Sequence, residues 1–288
     1  MGNSSSKPVI SPELEKPWRE SDWGQKEELK KSLEGFSVSH PDIKCIRILV
    51  AGQIGAGKSS FINSVNSTFQ GRITSGALVN TNSVSSHSFT NRITTHRVRG
   101  ADGDLPFIWT DTMGLKTEAM EGSQPEDIIK AIYGHVKENC KFNTEEPLDH
   151  KSEDYVSDPL LSNQAFCLVY VVDSKTIELT DTRLIDKLRI IRHRIRDTRI
   201  PQVIVMTKVD EACLLVKNDL KKVYTSKMIK KKMQVCSDMI GVPLNCIFPV
   251  KNYQDEIKIN NDVDVLILTA FEQIVNLAND RLREVASN

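Results

Sequence analysis

At 288 residues, with 38 basic and 38 acidic side chains and a formal net charge of zero, the chain can bury a substantial core and carries no overall field favouring nucleic acid or anionic lipid. A hydrophobic fraction of 39% and a charged fraction of 26% are those of an ordinary globular domain, and no apolar run approaches a bilayer span. The six cysteines lack CxxC spacing and several sit in apolar runs such as "AFCLVYVV", so they read as reduced thiols of a cytoplasmic protein, not as disulfides or zinc ligands.

The chain opens on "MGNSSSKP", with no secretory h-region. Gly2 followed by Ser6 fits the M-G-x-x-x-[ST] pattern of N-myristoylation. One such acyl chain gives only reversible membrane binding, and the lysine-rich "KKVYTSKMIKKK" (221–232), a candidate second signal, reads more simply as a solvated face. Residues 1–17 are Ser- and Pro-rich and read as a mobile tail, and 18–42 as a helical extension in which Asp22 caps a short amphipathic helix running to Phe36.

From residue 43 onward the pattern alternates. "IKCIRILVA" (43–51) is a continuous apolar strand, and "KSSFINSVNSTF" is a helix. Residues 70–87 read as a loop, followed by an antiparallel hairpin from "SFTNRITTHRVRG", "ADGD" and "LPFIWTD". "QPEDIIKAIYGHVKEN" reads as a helix, and 140–163 as a long polar loop, either functional or poorly ordered. Then come the strand "AFCLVYVVD", a helix over "TDTRLIDKLRIIRHRIRD" capped by Thr180 or Asp181, and the strand "PQVIVMTKVD". A helical region over roughly 214–240, the strand "PLNCIFPV" and the long helix "DVDVLILTAFEQIVNLANDRLREV" complete the chain. Such alternation predicts one α/β domain over 43–288, with a mostly parallel sheet covered on both faces.

"GQIGAGKS", Gly52 to Ser59, is G-x-x-x-x-G-K-[ST] placed between a strand and a helix, the context that makes the pattern specific. Gly52, Gln53, Ile54, Gly55, Ala56 and Gly57 are the loop whose backbone would cradle phosphates, and Ser60 continues it into the helix. Lys58 would reach the β- and γ-phosphates, and the Ser59 hydroxyl Mg²⁺. "DTMG" supplies Asp111, a Mg²⁺ ligand through water, and Gly114, whose N–H would sense a γ-phosphate. "TKVD" supplies Thr207, Lys208 and Asp210; the Asp210 carboxylate can accept from guanine N1–H and N2–H₂, a donor pair adenine lacks. A backbone N–H near Lys251 and Asn252 is expected at the guanine O6. Thr90 is the candidate switch hydroxyl on Mg²⁺, with Thr81 and Ser83 as competitors.

These three motifs, in order and each at a strand end, resemble the Ras-like G-domain superfamily, which implies a three-layer αβα fold with a six-stranded sheet of order 2-3-1-4-5-6. Beyond them, "PWRESDWG", "GAGKSSFINSVNS", "LPFIWTDTMGL", "IYGHV", "KFN", "LVYVVD" and "VKNY" together resemble the interferon-induced protein 44 family over roughly residues 15–285, in a form lacking the extra N-terminal domain of longer members. The resemblance implies a cytoplasmic, interferon-inducible guanine-nucleotide-binding protein linked to the antiviral response or its control.

Two departures bear on turnover. Leu115 stands where Ras-like enzymes place the glutamine that orients water, and Ile54 stands where a small residue leaves room for an arginine finger. GTPases with a hydrophobic residue there depend on another residue, a dimer partner or a cation, or turn over slowly. The catalytic residues therefore stay open. The expected partners are GTP or GDP with Mg²⁺, a second copy across the nucleotide site, and a membrane reached reversibly through Gly2, with no nucleic acid. The alternatives to a slow or dimerisation-dependent GTPase are a binding module without hydrolysis and a P-loop ATPase or phosphotransferase.

Overall fold

The computed structural model describes residues 11–77, 92–116, 123–143 and 146–287. The apolar runs become the strands of one sheet: β1 (Ile46–Gly52), β2 (Thr94–Arg99), β3 (Asp104–Asp111), β4 (Cys167–Asp173), β5 (Gln202–Thr207) and β6 (Ile247–Pro249). Their order is β2-β3-β1-β4-β5-β6, with β2 antiparallel to β3 and the other neighbours parallel. This is the expected Ras-like topology. Every residue of β4 and β6 is buried, as continuous apolar strands require. Edge strand β2 buries only Val98 and carries His96, Arg97 and Arg99, a composition that discourages pairing with another chain.

The helices form two groups. In the first, α1 (Lys26–Glu34) and α2 (Lys58–Gln70) pack on the long α8 (Asn261–Ala286), which lies along β1, β4 and β6. In the second, α3 (Pro125–Ile132) meets α4 (Thr182–Arg194), which meets α7 (Lys227–Ile240). α5 (Val209–Ala212) and α6 (Leu214–Asn218) are short turns after β5. Where α2 and α8 meet the sheet, Trp109, Phe107 and Phe69 gather around Phe271 with ring centroids 5.2–6.0 Å from its own, and Phe61 packs edge-on against Trp109 at 5.7 Å. No described helix is long and apolar enough to cross a membrane.

Several boundaries differ from the sequence reading. Residues 11–17, read as mobile tail, run along the start of α7: Leu14 N donates to Thr225 O at 2.8 Å, and Glu13 accepts from Lys222 and Thr225. Asp22 does not cap α1; it accepts from Gly24 N in a preceding turn, and Gln25 takes the cap position without a side-chain bond. The helix expected through Asn139 stops at Ile132, because Gly134 adopts φ 82° and the chain turns back on itself. The described part of 140–163 is packed, with Cys140 and Phe142 buried, Leu148 N bonded to Asp127 at 2.7 Å and Tyr155 stacked on His135. β6 is only three residues long, because 244–246 form a 3₁₀ turn.

Candidate nucleotide site

The phosphate loop is built by conformations that only glycine adopts easily. Gly52, Gly55 and Gly57 have φ of 146°, 76° and 93°. At Gly52 a Cβ would lie 2.2 Å from the Val171 carbonyl oxygen, so the loop also needs close approach to β4. Lys58 opens α2 and is buried, its ammonium 3.3 Å from Gly52 O and 3.2 Å from Gln53 O. Burial pushes its pKa down, opposed by Asp111.

Asp111 ends β3 beside the loop. The Ser59 hydroxyl donates to its Oδ2 at 2.6 Å, while its buried Oδ1 has no hydrogen-bond partner among the described residues. Burial raises its pKa, opposed by Lys58 and by the Ser59 bond. A hydroxyl and an orphaned carboxylate oxygen next to a phosphate loop form a hard-oxygen donor set that fits Mg²⁺.

Leu115 is fully buried, and its backbone is stitched to the loop: Leu115 N donates to Gly52 O at 2.9 Å and Ile54 N donates to Leu115 O at 3.2 Å. Ile54 lies over Gly114, where a Cβ would come within 2.5 Å of Ile54 Cγ1. The residue in the usual glutamine position thus faces the core, and one loop N–H is engaged by protein.

The residues expected at a base touch the loop expected at the phosphates directly. The Thr207 hydroxyl donates to Ala56 O at 2.6 Å, the Lys208 ammonium to Gly55 O at 2.8 Å, and Asn252 Nδ2 to Gly57 O at 3.0 Å. Lys208 holds the left-handed conformation, φ 58°, and pairs with Asp173 at 2.7 Å. Asp210 lies 3.8 Å from the Lys251 ammonium, which also pairs with Glu256. Buried Asn252 Oδ1 and Ser174 Oγ have no partner among the described residues, leaving acceptor and donor capacity beside these residues.

The structure therefore brings together the loop 52–60, Asp111, Gly114, Leu115, Thr207, Lys208, Asp210, Lys251 and Asn252. Thr90, Thr81, Ser83 and Gly2 lie outside the described residues. Sequence reasoning missed Asp173, whose place at the end of a buried strand opposite "TKVD" was its only signal. It also missed Ser64, whose hydroxyl accepts from Tyr253 N at 3.0 Å.

No family model matches the chain. Among curated proteins it is 34% identical over 264 residues to human interferon-induced protein 44, covering 90% of this chain and 59% of that one. The mouse protein of the same name is 32% identical over 262 residues, covering 90% and 61%. The chain belongs to the interferon-induced protein 44 family. It is also 30% identical over 242 residues to human interferon-induced protein 44-like, covering 83% of this chain and 53% of that one. It thus spans about three fifths of the length of its first relatives, 59% of the human one. Among solved structures it is similar to a probable GTP-binding protein engB at 13% identity and a TM-score of 0.41, covering 83% of this chain and 99% of that one, a likeness too loose to bear on function.

Proposed function

We propose that this member of the interferon-induced protein 44 family binds GTP and GDP, with the loop 52–60 on the phosphates and Asp210 reading the base. The observation carrying this reading is the convergence of Thr207, Lys208 and Asn252 on the carbonyls of Ala56, Gly55 and Gly57, which joins a phosphate cradle to a carboxylate suited to guanine. Ser59 and Asp111 would hold Mg²⁺, with Thr90 the sequence candidate for a further ligand; the ion would supply charge neutralisation for the β- and γ-phosphates. Around it, Lys58 binds the phosphates, Lys208 lies over the base plane, and the loop after β6 offers a backbone N–H to the guanine O6.

Hydrolysis on this reading is slow or depends on a second copy meeting the nucleotide, since Leu115 has no group to orient water. A second reading, a nucleotide-binding interaction module without turnover, draws support from the burial of Leu115 and its backbone bonds to Gly52 and Ile54. Kinship with relatives named for interferon induction supports a role in the antiviral response or its regulation, and the "MGNSSS" start supports reversible membrane association through Gly2. Single-turnover phosphate release, followed across a range of protein concentrations, separates the two readings. Release that rises with concentration supports the dimer-dependent enzyme; none at any concentration supports the module.

A further inference from the structure

Asp264 is a fully buried carboxylate in the first turn of α8, inside an otherwise apolar run. Removing such a charge from water is costly unless partners surround it, and an apolar residue would fill the space at less cost. Its partners come from three other parts of the chain. The Lys26 ammonium, on the first residue of α1, is 2.8 Å from Oδ2. The Thr68 hydroxyl of α2 and the Tyr253 hydroxyl each donate to Oδ1 at 2.7 Å. The Tyr253 hydroxyl in turn accepts from Asn260 N at 2.7 Å, at the cap of α8.

Tyr253 is the fourth residue of the loop that follows β6. Lys251 faces Asp210, Asn252 holds Gly57 O, and Tyr253 is held by Asp264 through its hydroxyl and by Ser64 through its N–H. Two adjacent side chains of one short loop therefore touch the proposed nucleotide site, Lys251 at Asp210 and Asn252 at Gly57 O, and the next is bolted to a buried charge.

The geometry points to Asp264, Tyr253 and Lys26 as positioning residues for guanine recognition: the helix preceding the G domain fixes the base-reading loop through a buried ion pair. This rests on the nucleotide reading above, and it gives α1 a role in ligand affinity and not only in covering α8. Removing the Tyr253 hydroxyl leaves the ring in place and cuts the link at one atom. Replacing Lys26 leaves Asp264 charged and unpaired, which pulls on the same loop from the other side.

The test uses the full chain as wild type, Tyr253→Phe, Lys26→Met and Lys26→Arg. In nucleotide-free protein, amide exchange at Asn252 and Tyr253 should quicken about tenfold in Tyr253→Phe and Lys26→Met, while β4 amides hold their rates. The Kd for GDP should rise about tenfold in both, whereas inorganic pyrophosphate, which needs only the phosphate loop, should bind as in wild type. Lys26→Arg should restore both readouts. If Lys26→Met fails to fold, Tyr253→Phe decides alone. Unchanged exchange at 252–253 would overturn the clamp, and parallel weakening of GDP and pyrophosphate would overturn its role in base positioning. Wild type failing to bind GDP would count against the nucleotide reading, and the exchange measurement would still judge the clamp.

Discussion

The Thr207 hydroxyl donates to the Ala56 carbonyl at 2.6 Å, joining two motifs 151 residues apart in sequence. One motif carries a buried lysine and three glycines in left-handed or strained backbone; the other carries a carboxylate just past the end of β5, a parallel strand separated from β1 by β4. Parallel strands all present their carboxyl ends on one edge, so the strand order itself brings the two motifs of the proposed nucleotide site to one crevice.

Two substitutions separate those motifs. Lys58→Ala should remove binding of every nucleotide; loss of one partner of a buried charge pair costs about 2–5 kcal/mol, roughly 30-fold or more in Kd. Asp210→Asn should instead shift preference from guanine to xanthine nucleotides, because the amide can donate to the xanthine O2. Fluorescence titration with GDP and XDP checks both. Lys58→Ala with wild-type affinity would show that the phosphate site is misplaced.

The loop glycines should differ in tolerance. Gly55→Ala meets nothing within 4 Å and adds only left-handed strain, about 1–2 kcal/mol. Gly52→Ala adds a Cβ 2.2 Å from Val171 O as well as strain, for a combined loss of about 2–5 kcal/mol. Denaturant unfolding of the two variants measures the difference; equal losses would mean that the close approach of β1 to β4 is not what selects glycine at 52.

Leu115→Gln should not create a fast GTPase. The position is buried, and its backbone is fastened to Gly52 and Ile54, so the amide would enter the core without partners, at a cost of about 1–3 kcal/mol. The expected outcome is a lower midpoint of unfolding and no gain in phosphate release. A large gain in release would mean that Leu115 leaves the core when nucleotide binds.

The strands and the loop 52–60 were legible in sequence because both depend on contiguous patterns: apolar runs buried on two faces, and glycines at fixed spacing before a helix; the order of the strands came from the resemblance to Ras-like domains and not from those patterns. The early end of α3 was less visible, because "IIKAIYGHV" keeps helical spacing through Gly134 and only the positive φ there reveals the turn. Asp264 was hidden for a different reason. In "DVDVLIL" an acid at a helix start reads as solvated, although Asp264, Leu268 and Phe271 share the buried face. A charge buried by partners on three other segments, two of them far away in sequence, leaves no local pattern. The fastening of residues 11–17 to α7 was likewise invisible, since Ser and Pro content reports composition and not the position of Lys222 and Thr225.

The N-terminal strap should loosen in acid. The Glu13 carboxyl is held below its ordinary value near 4.5 by hydrogen bonds from Lys222 and Thr225. Its contribution is therefore fully present above pH 4.5 and is lost as pH falls through the lower folded value. The protection factors of the Leu14 and Trp18 amides, whose N–H groups bond to Thr225 and Tyr224, should fall below that point in wild type, once exchange is corrected for its intrinsic pH dependence. In Glu13→Gln the protection should already be low at neutral pH and should not fall further in acid. Identical pH profiles in the two proteins would assign the strap's hold to its backbone bonds alone.

Isothermal titration of the purified chain with GDP, GTP and ATP in Mg²⁺ tests the central claim most directly. The account predicts saturable binding of both guanine nucleotides at one site per chain, abolished in Lys58→Ala, with ATP weaker by about two orders of magnitude for want of the N1–H and N2–H₂ donors. ATP binding as tightly as GTP, or no binding of any of the three, would contradict it.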